Sequence, residues 1–294
     1  MNAGLPRFVA ATDFSEHAGW AAQRAALLAA QHGAKLELLH VVPKTPLDAL
    51  RELFRAKPEG VRNLVEDLRR ALTRAASALA KATGASIAPR VEIGEVLDVI
   101  ASECNGADLL AMGARGTSPL RDALLGTTAE RLLGKCKRPM LIAKRAAKRP
   151  YKDVLVAVDF SPASEDALRA VLRLMPQAAV TAVHAYDIPF EGQLRLAGVE
   201  KATIEGYRSR AAAKAVAEIR ALGSKISGDG MRVGHRIGMG HPPHLILEKA
   251  QALHADLIVL GKQKRAIVQQ LLLGSVARHV LADSRSDVLV VPAA

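Results

Sequence analysis

The sequence predicts an α/β protein made of two tandem copies of one doubly wound, Rossmann-like domain, and three observations predict it. The phrase Phe8-Val9-Ala10-Ala11-Thr12-Asp13-Phe14-Ser15 returns as Val154-Leu155-Val156-Ala157-Val158-Asp159-Phe160-Ser161, and Ala107-Asp108-Leu109-Leu110-Ala111-Met112-Gly113 returns as Ala255-Asp256-Leu257-Ile258-Val259-Leu260-Gly261. The offsets, 146 and 148 residues, are too long for a solenoid and fit a duplicated domain. Short aliphatic runs alternate with helix-period stretches, which requires crossover connections and a parallel sheet covered on both faces. Half of the residues are hydrophobic but only 3% are aromatic, a mixture that suits aliphatic strands buried between helices.

The 294 residues divide naturally into domains at 1–147 and 148–294, joined through the basic stretch Lys144 to Lys152 with Pro150 inside it. In the first copy, strands are expected near Arg7–Ala11, Lys35–Val42, Ile87–Ile93, Leu109–Gly113 and Pro139–Lys144. In the second they are expected near Asp153–Val158, Val180–Ala185, Met231–Ile237, Leu257–Gly261 and Asp287–Val291. Long helical patterns cover Leu47–Ala82 and Leu194–Leu222. Ser15 and Ser161 stand where N-caps belong, and Pro162 follows at a first helical position, where its missing N–H costs nothing. Gly33 and Gly84 stand where helices close.

Composition narrows the function. The net charge of +12 is spread evenly, with 21 basic and 15 acidic residues in the first half and 20 and 14 in the second. The basic residues lie among acids on helical stretches such as Arg62 to Arg74, which reads as a solvated face. That pattern attracts phosphates in general and argues against nucleic acid as the partner. No apolar run approaches the ~20 residues of a membrane span, and Met1 to Pro6 is too short for a leader, so the expected location is the cytoplasm, with no membrane partner. Cys104 and Cys136 are too few for a disulfide framework or a metal cluster.

The chemistry concentrates in one loop. After its fourth strand the first copy reads Gly113-Ala114-Arg115-Gly116, then nine residues, then Gly126-Thr127-Thr128. Glycines three apart at a strand's end are expected to let the backbone turn and approach a ligand. Gly126 and Thr127 open the next helix, whose bare N–H groups and positive dipole end favour an anion, with the Thr127 and Thr128 hydroxyls able to add hydrogen bonds. Asp13 lies just past strand one, where open parallel sheets bind ligands. A carboxylate there can accept hydrogen bonds from ribose hydroxyls or an adenine amino group. Val41 and Val42, ending strand two, offer an apolar wall for a base.

These residues resemble the universal stress protein family, whose ATP-binding members carry Gly-x2-Gly-x9-Gly-[Ser/Thr]. Gly113, Gly116, Gly126 and Thr127 match that pattern in full, and the likeness extends in duplicate over nearly the whole chain. The resemblance implies a five-stranded parallel α/β sandwich in each copy, with adenine near Asp13 and Val41 and phosphates against the glycine loop. It also implies last strands that pair domains, so that the two copies form a pseudo-dimer. The binding positions expected in the first copy are Ala11, Thr12, Asp13, Val41, Met112, Gly113, Gly116, Gly126, Thr127 and Thr128, for ATP or another adenine nucleotide, with or without Mg2+.

The second copy departs from the motif. It reads Gly261-Lys262-Gln263-Lys264, nine residues, then Gly274-Ser275. Lys264 stands where the second glycine belongs and either obstructs a triphosphate or pairs with it as a point charge. Asp159, Gly261, Lys264, Gly274 and Ser275 therefore form a weaker second set. In Gly240-His241-Pro242-Pro243-His244, two histidines stand three apart, but the sequence supplies no further metal ligand nearby, so a loop and a helix cap are expected there. His40 and His184, at corresponding strand ends, are expected to pack or hydrogen-bond.

No nucleophile–base pair, metal-carboxylate set or Walker lysine motif is present. The sequence thus points to a nucleotide-binding sensor or reservoir of the stress response, not to an enzyme. A slow ATP hydrolase and a carrier with a non-nucleotide ligand in the second copy stand as alternatives. An unidentified protein partner and a homodimer of tandem chains are compatible with the sequence.

Overall fold

The computed structural model describes residues 5–44, 58–116, 125–188, 191–227, 233–263 and 274–293. Two compact units are present, the body of the first being Met1–Pro150 and that of the second Tyr151–Lys264 with Gly274–Ser286.

In the first unit, β1 (Arg7–Ala11), β2 (Lys35–Pro43), β3 (Ser86–Gly94), β4 (Leu109–Gly113) and β5 (Met140–Ala143) lie in the order β3-β2-β1-β4-β5, and every neighbouring pair is parallel. The helices are α1 (Glu16–His32), α2 (Pro58–Thr83), α3 (Val96–Asn105) and α4 (Thr127–Lys135). The chain builds outward from β1 through β2 to β3, then crosses back to place β4 on the other side of β1. The strand order reverses between β1 and β4, and beyond the carboxyl ends of such a strand pair open α/β sheets form their ligand crevice.

Sequence accounts for this packing. Strand β4 is buried along its whole length, and α1 lays a run of small side chains, Ala18, Ala21, Ala22, Ala25, Ala26 and Ala29, against the sheet. Alanine here lets helix and strand backbones approach closely, at good helix propensity. Ser15 caps α1 by accepting the Ala18 N–H at 3.3 Å. Gly33 closes it in the left-handed conformation, φ 59°, and Gly84 has φ 74° just after α2, as expected of helix-ending glycines.

The second unit repeats the plan with β6 (Asp153–Ala157), β7 (Ala179–Tyr186), β8 (Gly234–Met239), β9 (Leu257–Lys262) and β10 (Asp287–Pro292), in the order β10-β9-β6-β7-β8. Its helices are α5 (Pro162–Leu174), α6 (Glu191–Leu196), α7 (Lys201–Ser227), α8 (Pro242–Ala252) and α9 (Ser275–Asp283). Ser161 caps α5 from the Ser164 N–H, with Pro162 in its first turn.

Two expectations need correction. The stretch Leu194–Leu222 is not one helix: α6 ends at Leu196 and α7 begins at Lys201, parted by Gly198 at φ 77°, a conformation that ends a helix. Strand β8 runs Gly234–Met239, two residues past the expected end at Ile237, while Met231 and Arg232 lie outside the described residues. The first part of the helix expected from Leu47 lies outside the described residues. Cys104 and Cys136 are both buried.

Candidate functional site

The site is built where β1 and β4 end. At the end of β1 the chain turns through Thr12-Asp13-Phe14-Ser15 in a conformation that its own side chains fix. The Thr12 hydroxyl accepts the Phe14 N–H at 3.1 Å, and Asp13 Oδ1 accepts the Ser15 N–H at 3.0 Å. Phe14 adopts φ 63°, left-handed backbone that costs an L-residue roughly 1–2 kcal/mol. Compensation comes from His40 at the end of β2. Its ring lies 4.7 Å from that of Phe14, and its Nδ1 is 2.8 Å from the Thr12 carbonyl. A carbonyl only accepts, so Nδ1 carries the proton.

The second unit repeats this turn. Phe160 has φ 60°, its ring lies 4.4 Å from His184, and His184 Nδ1 lies 2.8 Å from the Val158 carbonyl. The recurring histidines therefore hold the backbone of each Asp-Phe-Ser turn.

At the end of β4, the motif glycines have reasons different from those the sequence suggested. None of Gly113, Gly116 and Gly126 has a positive φ, so none is required for a left-handed turn. A β-carbon on Gly113 would stand 2.7 Å from the His17 carbonyl carbon and 2.8 Å from the Ala18 nitrogen, both α1 backbone. Gly113 thus admits the first turn of α1. Its counterpart Gly261 does the same, since a β-carbon there would stand 2.5 Å from the Ala163 carbonyl group. Gly116 is different: a β-carbon would stand 2.5 Å from Asp13 Oδ2. Gly126 donates its N–H to the Ala114 carbonyl at 2.8 Å and closes the neck of the loop. That donor is therefore engaged, leaving Thr127, Thr128 and Ala129 as the first-turn amides of α4 that carry no intrahelical bond.

The fold thus brings Asp13, Gly113, Gly116 and Gly126 to one place. Ala11 and Met112 line the strand ends and are almost wholly buried, as is Val41 on β2. Val42 belongs to the core instead, packed with Leu68 and Val91. Thr127 is exposed and Thr128 half-buried.

Two residues that sequence reasoning passed over also stand here. His17, in the first turn of α1, has its pKa pushed below 6.5 by burial and then by the guanidinium of Arg115, against the opposing pull of Glu16 and Asp13. Arg115 is exposed on the glycine loop, where it supplies a cation beside the crevice. Its place inside the motif was the signal that could have found it.

Comparison with known proteins gives the family. The universal stress protein family model matches residues 5–144 and again 150–292. The chain belongs to the universal stress protein family. A universal stress protein of Mycolicibacterium smegmatis is 26% identical over 288 residues, covering 92% of this chain and 90% of the relative. One from Methanocaldococcus jannaschii is 30% identical over 155 residues, covering 50% of this chain and 85% of the relative. Among solved structures, a universal stress protein from Archaeoglobus fulgidus superposes with a TM-score of 0.72 at 20% identity, covering 99% of this chain and all of the other, a likeness of fold.

The two universal stress protein domains differ at the crevice. In the second, Asp159 Oδ1 accepts the Ser161 N–H at 3.0 Å and the Ser161 hydroxyl at 2.5 Å, while Gln263 Nε2 donates to Oδ2 at 3.3 Å. Desolvation pushes the Asp159 pKa up, but hydrogen bonds from Ser161 and Ser164 outweigh it and hold the carboxyl below its usual range. Gln263 is the positional counterpart of Arg115, so a neutral amide on the carboxylate replaces the cation. No β-carbon contact within 4 Å constrains Gly274, and Ser275 opens α9. Lys264 lies outside the described residues.

Among the described residues no helix is long and apolar enough to cross a membrane.

Proposed function

We propose that the chain binds an adenine nucleotide in the first domain, in the crevice between the ends of β1 and β4. The observation that carries this reading is the approach of Asp13 Oδ2 to bare Gly116 backbone. A carboxylate able to accept from ribose or adenine stands beside a loop able to come close to phosphate. The α4 N-terminus and Arg115 add positive potential on the phosphate side. The full Gly-x2-Gly-x9-Gly-Thr motif, which resembles that of the family's ATP-binding members, supports the same assignment. The role that follows is that of a nucleotide sensor or reservoir in the stress response, without dedicated catalysis.

Equilibrium dialysis with ATP, ADP, AMP and cyclic AMP, with and without Mg2+, tests the reading. Saturable binding that Gly116→Lys abolishes is the expected result. Failure of all four to bind, or unchanged affinity in the variant, overturns it.

A further inference from the structure

The second domain brings a third histidine to the two that stand close in sequence. Strand β8 ends at Met239, and Gly240 turns the chain at φ 132° while its N–H donates to the Tyr186 carbonyl at 3.0 Å. His241 then occupies the N-cap of α8, a position where Ser, Thr, Asp or Asn stabilises a helix by side-chain capping. The His241 side chain makes no such bond. Pro242 and Pro243 stiffen the first turn, and His244, three residues on, shares the face of His241.

Helix α9 packs against α8 and contributes His279. Ring centroids are 5.3 Å apart for His241–His244 and 6.3 Å for His241–His279. His279 Nδ1 lies 2.9 Å from the Ser275 carbonyl, so Nδ1 is the donor and Nε2 keeps its lone pair. One ring nitrogen fixed by a backbone carbonyl while the other is left for an ion is the usual outer-shell arrangement of a metal-binding imidazole.

We propose that His241, His244 and His279 bind a divalent transition-metal ion of the zinc class. Among the described residues no group of three or more such side chains is already arranged to hold a metal ion, so the rings must reorient to share one. The distance to convergence is small. Two imidazoles sharing an ion at Zn–N ≈ 2.0–2.1 Å have ring centroids roughly 4.5–6 Å apart. The first pair lies inside that range and the second just beyond it. All three side chains are exposed; His241 and His244 can turn about their side-chain torsions, while His279 keeps its Nδ1 bond to Ser275. The nearby helix N-termini weakly oppose a cation. Both costs, of turning the rings and of that opposition, are small beside the free energy with which a four-ligand zinc site holds its ion, so an open three-nitrogen site completed by water survives them at lower affinity. A bound ion ties the N-terminus of α8 to the second turn of α9, the helix that Gly274 and Ser275 open.

The test is isothermal titration of the tag-free full chain with Zn2+ alone, and separately with Ni2+. The expected result is one ion per chain at pH 7.5, weakened at least about tenfold by His279→Ala and by His241→Asn. Thermal melts run beside it separate binding from folding. Without metal, His279→Ala should melt like the parent and His241→Asn at or slightly above it, since Asn caps the helix that His241 leaves uncapped, while the rise in Tm on adding Zn2+ should disappear in both. No binding at pH 7.5, or binding that both substitutions leave unchanged, overturns the proposal.

Discussion

Asp13 Oδ2 lies 2.5 Å from the point where a β-carbon on Gly116 would stand. The atom in the way is the end of a side chain, and the loop residue is exposed, so the fold can tolerate a methyl group there. Gly116→Ala should therefore leave stability within about 1 kcal/mol of the parent while displacing the carboxylate. Nucleotide affinity should fall at least about tenfold, a loss of roughly 1.4 kcal/mol in binding. Dialysis and denaturant melts on one preparation check both halves of this statement.

Gly113 and Gly261 should behave in the opposite way. Added β-carbons there meet α1 and α5 backbone at 2.7 and 2.5 Å, and backbone cannot rotate aside. Each Gly→Ala change should cost about 1–3 kcal/mol or more through overpacking, with or without nucleotide. Urea midpoints of the two single variants measure it.

At the far end of the first sheet, Arg7 pairs with Glu37 at 2.8 Å and with Glu103, and Arg90 reaches Glu37 and Glu103 as well. The Arg7 hydrogen bond, reinforced by Arg90, holds the Glu37 pKa below 4.5 against desolvation. Because the folded state depresses this pKa, the stabilisation is complete above 4.5 and disappears as pH falls through the lower folded value. Arg7→Met should flatten this acid dependence and leave nucleotide binding intact, since Arg7 begins the strand that Asp13 follows. Melting temperatures across pH 3–7 supply the readout.

His17 couples the crevice to protons. Burial lowers its pKa first and Arg115 second, so the folded chain resists protonation and loses stability as pH drops through 6.5. Phosphate settling beside Arg115 offsets that guanidinium and raises the His17 pKa. Nucleotide binding near pH 6 should then take up a fraction of a proton, measured by calorimetry in buffers of different ionisation heat. His17→Gln should remove the uptake and keep the binding.

Much of this was legible in the sequence because it is local. The repeated Asp-Phe-Ser phrases, the serine caps, the closing glycines and the parallel α/β class follow from neighbouring residues and from alternation. What escaped depends on contacts through space. The motif places Gly113 and Gly116 in one pattern, yet one meets a helix backbone and the other a carboxylate. His279 joins His241 across 38 residues of chain, which spacing alone does not reveal. Arg115 and Gln263 fill variable positions of the motif, so only their neighbours in the fold show that they set the charge beside each carboxylate.

The left-handed phenylalanines have a consequence for which sequences these two positions accept. At φ near 60°, a side chain branched at its β-carbon collides with its own backbone, and proline cannot adopt the angle at all. Saturation mutagenesis scored by folding should therefore return glycine and asparagine at both 14 and 160, and reject valine, isoleucine and proline at both. The two profiles should agree however differently the adjoining crevices are used, marking the turn as scaffold inherited by each half.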